Sequence, residues 1–300
     1  MTTRLSIRHL TRYAYGAPAA FSQHLLRLTP MDRADQRLIA HELAIDPAPD
    51  SVERIEDVFG NRLIAVTVTE PHGALEITAT STVERRPAPD LMASASRPWE
   101  EVAAEAASPA GLAAAPFAHP SRFTAADDAL ETWTRASFPP GRPVLDGARD
   151  LCARLHEDFA YLPGATDADT TALESFTVRE GVCQDFAHVM LAGMRALGLP
   201  AAYVSGYLRT RPPPGRPRLV GADASHAWVE VWDPDLGWTG FDPTNDVEPG
   251  DDHVVLAVGR DYADCAPVIG LVVGSGGQRL SVAVDVVGLD DPPDPPDPAA

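Results

Sequence analysis

The sequence predicts an α+β fold in which a small β-sandwich-like domain precedes a domain built from a long apolar helix packed on an antiparallel sheet. Three observations predict it. Residues 1–86 contain short runs rich in β-branched residues. Phe186, Met190, Met194 and Leu197 recur at steps of four, four and three, the spacing of one helix face. His226, Trp228, Glu230 and Trp232 alternate with Ala227, Val229 and Val231, the period of a strand. At 300 residues and 45% hydrophobic content, the chain can bury a sizeable core in two domains.

The elements follow in order. In residues 1–86, LSIRHL, RLIAHELAI and RLIAVTVTE read as strands, and SVERIEDVFGNRLIAVTVTE as a hairpin turning at Phe59, Gly60 and Asn61. Residues 87–123 are rich in Pro, Ala and Ser (RRPAPD, SRPWEEVAAEAASPAGLAAAP) and read as a connector with room for one short helix. Residues 124–289 form the mixed domain: FTAADDALETWTRASF and VLDGARDLCARLHEDFAY carry helical spacing, strands resume at Ala201, and RLSVAVDVV reads as a strand returning to the same sheet. Residues 290–300, DDPPDPPDPAA and its approach, read as a disordered acidic tail with nothing to bury.

A formal charge of -19 repels phosphate backbones and anionic lipid, so neither nucleic acid nor membrane is an expected partner. The start, MTTRLSIRHLTRYAY, has arginines interleaved where a secretory signal would be apolar, and no run is long enough to span a bilayer; a cytoplasmic location is expected. Cys152, Cys183 and Cys265 are odd in number and widely spaced, which suits reduced thiols. All 24 basic residues are arginine, as base-composition bias would give.

Gly198 and Pro200 stop the apolar helix, which places Cys183 at its first turn. There the unpaired N–H groups and partial positive charge of the helix start favour a thiolate. His226 opens the strand HAWVEVW, residues 233–237 form a turn, and Trp238 to Asp242 return. With the turn centred on Pro234, His226 faces Asp242 directly; centred on Asp235, the two are diagonal neighbours. Either register puts both on one face, within side-chain reach. A thiol, an imidazole base and a carboxylate that orients the ring make an activated nucleophile: Cys183 attacks a carbonyl, His226 moves the proton, and Asp242 fixes the tautomer. The N–H of Cys183 is the expected oxyanion donor, with Gln184 a candidate for the second.

At these residues the sequence resembles the transglutaminase-like superfamily, through GVCQDFAHVMLAGMRALGLPAAYVSGY, SHAWVEVW and GWTGFDPTND in that order. The resemblance implies a papain-like transglutaminase core with Cys183, His226 and Asp242 as catalytic triad. The stretches IRHLTRYAYGAPAAFSQHLLRLTP, DVFGN, VAVGRDYADCAPVIG and GGQRLSVAVDV extend the likeness to the bacterial branch, in which a β-rich N-terminal region precedes that core. What it implies is thiol-dependent acyl transfer from amide or peptide bonds, to water or to an amine, on a peptide or protein substrate.

Competing uses of the same residues are weaker. Zinc could draw on Cys183, His226, Asp242 and His253, but the spacing contains no close ligand pair, so no metal and no cofactor is expected. His188 lies about 140° round the helix from Cys183 and is expected to pack or hydrogen-bond. At least two of Trp228, Trp232 and Trp238 are expected in sheet core. Asp185 is expected to complement the helix dipole, and Thr244 and Asn245 to shape the turn that positions Asp242, with Asn245 a candidate contact. No calcium-loop pattern such as DxDxDG is present, and the chain has no lysine to act as its own amine acceptor. Hydrolysis is the leading expectation; an amine-accepting transglutaminase and a non-catalytic binding module are the alternatives.

Overall fold

Strand alternation organises the first 86 residues into β1 (Thr3–Ala19), β2 (Phe21–Leu26), β3 (Gln36–Asp46), β4 (Ser51–Glu56), β5 (Arg62–Val68) and β6 (His72–Arg85). The computed structural model describes residues 2–86, 95–210, 225–274 and 276–290. The expected hairpin is β4 and β5, with Glu56 opposite Arg62. Asp57 closes its loop by accepting from the amides of Phe59 and Asn61, both at 2.9 Å, and Gly60 supplies the positive φ of 80°.

The connector contributes α1 (Trp99–Ala106). Then come α2 (Asp128–Arg135), α3 (Val144–Asp158), β7 (Ala160–Tyr161), α4 (Ala172–Val178), β8 (Glu180–Gly181) and α5 (Cys183–Ala196). The core sheet follows as β9 (Ala201–Leu208), β10 (Ser225–Asp233), β11 (Gly237–Phe241) and β12 (His253–Gly259), in the antiparallel order β11-β10-β9-β12. Beyond α6 (Tyr262–Cys265) lie β13 (Val268–Val273) and β14 (Gln278–Gly288).

Helix α5 is buried on every side from Asp185 to Arg195, between the core sheet and the other helices. Its apolar stripe, Phe186, Met190 and Met194, belongs to one large cluster with Leu151 and Leu155 of α3 and Val229 of β10. Gly198, at φ 75°, ends it, with the amides of Gly198 and Leu199 returning to Arg195 and Met194.

One expectation is corrected here. The strand RLSVAVDVV does not return to the core sheet: β14 pairs with β1, and β13 with β2. The two N-terminal sheets are therefore β14-β1-β6-β3 and β13-β2-β5-β4, and the expected 124–289 segment shares its last two strands with the sandwich. Alternation explains the pairing, because Val284 and Val286 continue the buried face of Leu5 and Ile7 against Tyr207, Val254 and Leu256 of the core. Farther along, the same face of β1 and β6 presents Tyr13, Leu75 and Ile77 to Leu26 and Val66 of the other sheet. The exposed edge of β12 is closed by two amide side chains: Gln36 donates to Val255 O and accepts from Val255 N, both at 2.8 Å, and Asn61 does the same at Val258 with 2.7 and 2.8 Å. The tail expected from residue 290 lies, from 291 onward, outside the described residues.

Candidate active site

Cys183 is the first residue of α5 and is half-buried, whereas Cys152 and Cys265 are buried; all three are free thiols. Asp185, three residues beyond the extended Val182, sets the start of the helix. Its Oδ2 accepts from Val182 N at 2.8 Å and from the hydroxyl of Thr166 at 2.6 Å, so it does more than complement the dipole. Burial pushes its carboxyl up, and these hydrogen bonds oppose that. A Cβ on Gly181 would lie 2.6 Å from that same Oδ2, so the approach to Cys183 needs glycine there.

The β10–β11 hairpin has Trp232 opposite Trp238 and Asp233 opposite Gly237, so the turn centres on Asp235 and His226 and Asp242 are diagonal neighbours on one face. His226 Nε2 lies 2.7 Å from Asp242 Oδ2. Asp242 is fully buried, and its carboxylate is the focus of five donors. Oδ1 accepts from the amides of Thr244 (3.0 Å) and Asn245 (3.3 Å); Oδ2 accepts from His226, from His253 Nε2 (3.2 Å) and from Asn245 Nδ2 (2.7 Å). Burial alone would raise the Asp242 carboxyl; hydrogen bonds from His226 and His253 overcome it and hold the group well below the usual carboxylate range. For His226, burial works to lower the pKa, but the hydrogen bond to Asp242, the Cys183 thiol nearby and the charges of both push it up to about 10. Because a carboxylate only accepts, Nε2 of His226 carries a proton, and Nδ1 is the nitrogen left for the thiol.

Cys183 and His226 line one cleft of about 320 Å³. Gln184 lines it too, but its Nε2 donates to Ala168 O at 3.2 Å, which ties the amide to the preceding loop. The sequence reading missed Tyr161, Tyr203 and Tyr262, which also line the cleft, and it missed His253 as a partner of Asp242. No local signal marks them: they come from four separate elements brought together by the fold. His188 is buried as expected, stacked on Phe123 at 5.0 Å and accepting from Tyr262 N at 3.2 Å. Trp228 is buried beneath His226 and His253, Trp232 packs on the main core, and Trp238 meets Phe117 edge-on at 5.1 Å.

His226, Asp242 and His253 also place three ligand-type atoms within 4.8 Å of one another. Two ligands on one tetrahedral zinc ion, each at about 2.0–2.2 Å, stand about 3.3–3.5 Å apart. The 2.7 and 3.2 Å separations are those of hydrogen bonds, and the shared Oδ2 already takes the Asn245 amide, so the trio fits a braced carboxylate better than a metal centre.

Sandwich, helix-on-sheet core and cleft together define the architecture of the papain-like and transglutaminase-like proteins. The chain belongs to the bacterial branch of the transglutaminase-like superfamily: residues 5–84 match the bacterial transglutaminase-like N-terminal region, and residues 132–243 match the transglutaminase-like superfamily. An uncharacterised protein of Mycobacterium tuberculosis is 42% identical over 294 residues, covering 95% of this chain and 93% of that one. A protein-glutamine gamma-glutamyltransferase of Pseudomonas aeruginosa is 43% identical over 97 residues, 31% of this chain and 14% of that one. The fold matches a structure solved as a candidate cysteine protease from Cytophaga hutchinsonii, with TM-score 0.74 and 23% identity over 97% of this chain and 92% of that one.

The cytoplasmic expectation is corrected. Solved structures that match include the periplasmic domain of TgpA from Pseudomonas aeruginosa, at 20% identity and TM-score 0.34 over 77% of this chain and 91% of that one. Three unpaired thiols and an arginine-studded start do not define a compartment. No helix among the described residues is long and apolar enough to cross a membrane.

Proposed function

We propose that the chain is a thiol-dependent acyl-transfer enzyme that hydrolyses peptide or amide bonds, with Cys183 as nucleophile, His226 as proton carrier and Asp242 as the group that orients His226. The observation that carries the reading is the 2.7 Å bond from His226 Nε2 to the buried Asp242, in a ring that shares its cleft with the half-buried Cys183. The Cys183 sulfur, its proton on His226, attacks the carbonyl carbon; the carbonyl electron pair moves to oxygen, and the oxyanion meets the N–H of Cys183. Collapse breaks the C–N bond as His226 gives its proton to the leaving amine. His226 then takes a proton from water, whose oxygen attacks the thioester and releases the acid and the Cys183 sulfur. The imidazolium is stabilised throughout by Asp242, which needs no proton of its own.

A second reading, an amine in place of water, is supported by the glutamyltransferase that resembles 97 residues of this chain. One experiment separates them: an acyl-donor peptide is supplied with and without a labelled primary amine, and the products are weighed by mass spectrometry. Free acid formed by the wild type but not by Cys183→Ala or His226→Ala supports hydrolysis. Amine incorporation as the main product overturns it in favour of transamidation, and no product together with a Cys183 inert to iodoacetamide leaves a binding module.

A further inference from the structure

Resting on that reading of Cys183, we propose that β1 and β14 of the sandwich form the specificity wall of the cleft, and that the acyl group accepted there bears an uncharged apolar or aromatic side chain. The wall follows from strand register. Ile7 is opposite Val286, His9 opposite Val284, Thr11 opposite Val282 and Tyr13 opposite Leu280, so these residues share one face of the paired strands. At the Ile7 end that face is sealed against β9 and β12 of the core. Running on, it passes over the cleft, where His9, Thr11, Tyr13, Leu280 and Val282 stand among the residues that surround Cys183.

Val284 and Val286 are 0% exposed, but Leu280 and Val282, on the same face, are 53% and 49% exposed. Two aliphatic side chains therefore border the open cleft, each about half exposed among the described residues and continuous with the site of the proposed chemistry. The polar complement is equally specific. The chain has 43 acidic and 24 basic residues, yet no carboxylate or guanidinium is among the described residues lining this cleft. His9 adds no charge at neutral pH: its two nitrogens engage Tyr207 Oη and Thr11 Oγ1, each at 2.9 Å, and burial pushes its pKa down to about 4. The one cationic group lining the described cleft, His226, is already engaged by the Asp242 carboxylate, so a charged acyl side chain would be dehydrated without a free counter-charge among the described residues, whereas an apolar one gains cover from Leu280 and Val282. A volume of about 320 Å³ is that of a small-ligand cleft, suited to a short acyl segment.

The test uses peptidyl acyloxymethyl ketones ending in Phe, Leu, Glu or Arg, in which the Cys183 sulfur bonds to the methylene carbon and the carboxylate leaves with the bonding pair. Rates of Cys183 alkylation are read by mass spectrometry for the wild type, Val282→Asp, and the control Val287→Asp, whose residue is 43% exposed on the opposite face of β14. Phe and Leu probes should react at least about tenfold faster than Glu and Arg probes, a ratio equal to about 1.4 kcal/mol. Val282→Asp should shift the Phe-to-Arg ratio at least about tenfold toward Arg, a ratio from which any common change in Cys183 reactivity cancels, while Val287→Asp leaves it unchanged. Equal rates for the four probes, or a Val282→Asp that scales all four alike, overturn the wall while leaving the acyl-transfer reading intact. Failure of Cys183 to react with any probe or with iodoacetamide overturns both.

Discussion

Replacing Asp242 by asparagine tests how the His226 ring is held. The native carboxylate meets five donors; an amide offers one oxygen and two N–H groups. With its oxygen kept on the Thr244 and Asn245 amides, its NH₂ confronts the donors of His226, His253 and Asn245. His226 must then make Nε2 an acceptor and carry its proton on Nδ1, the nitrogen needed by the thiol. In the serine proteases the corresponding change costs about 10⁴ in kcat, so acyl transfer by Asp242→Asn should fall roughly 10³- to 10⁴-fold, about 4–5.5 kcal/mol of transition-state stabilisation. Folding should lose about 1–3 kcal/mol for each donor left without an acceptor. The ring itself gives a second readout. His226 should titrate at about 10 in the wild type, and its pKa should fall in the variant, where burial remains and the Asp242 hydrogen bond is gone. Since the folded pKa lies above the ordinary value of 6.5, ionised His226 stabilises the fold fully below pH 6.5, and that contribution is lost as pH rises through about 10. Urea denaturation from pH 6 to 10 should show the decline in the wild type and a flatter profile in the variant. Activity within about tenfold of wild type, with His226 still titrating near 10 by NMR, would refute the account.

Three further outcomes follow from the packing. Iodoacetamide at neutral pH should modify only Cys183 in the folded protein, because burial pushes the thiols of Cys152 and Cys265 well up; a second labelled cysteine by peptide mapping contradicts this. Arg195→Met should destabilise by about 3 kcal/mol or more in urea melts, since it strips donors from the carbonyls of Phe117, Ala201 and Arg260 and from the Thr124 hydroxyl, and a loss under about 1 kcal/mol counts against it. Gly206→Ala should lower both stability and Cys183 reactivity: Gly206 is the cross-strand partner of His226, and a Cβ there would sit 2.1 Å from Val254 O and 2.5 Å from the Trp228 ring. A variant that melts and alkylates like wild type would show that the sheet yields more readily than these distances imply.

Local period carried most of the site into the sequence. The steps from Phe186 to Leu197 located α5 and thus Cys183 at its start, and the alternation from His226 to Trp232 fixed a shared face with Asp242 whichever residue centred the turn. What period cannot convey is the partner of a face. β14 was legible as a strand, but its alternation suits any apolar surface, and only the fold shows that it lies beside β1. Asn245 was legible as a candidate contact and His253 only as a candidate metal ligand, because their hydrogen bonds to Asp242 depend on how β12 and the turn after β11 converge. Gln36 and Asn61 gave no signal of edge closure, since side-chain amides that imitate a strand carry no periodicity.

The pairing of β14 with β1 has a consequence for biosynthesis. A ribosome synthesises the whole helix-bearing core before it makes residues 278–288, so the first strand waits with one edge unsatisfied while roughly two hundred residues are added. Leu280 and Val282 arrive among the last, and the pocket around Cys183 acquires its final side only then. A nascent or C-terminally clipped molecule would carry Cys183 without the proposed wall of Leu280 and Val282 beside it.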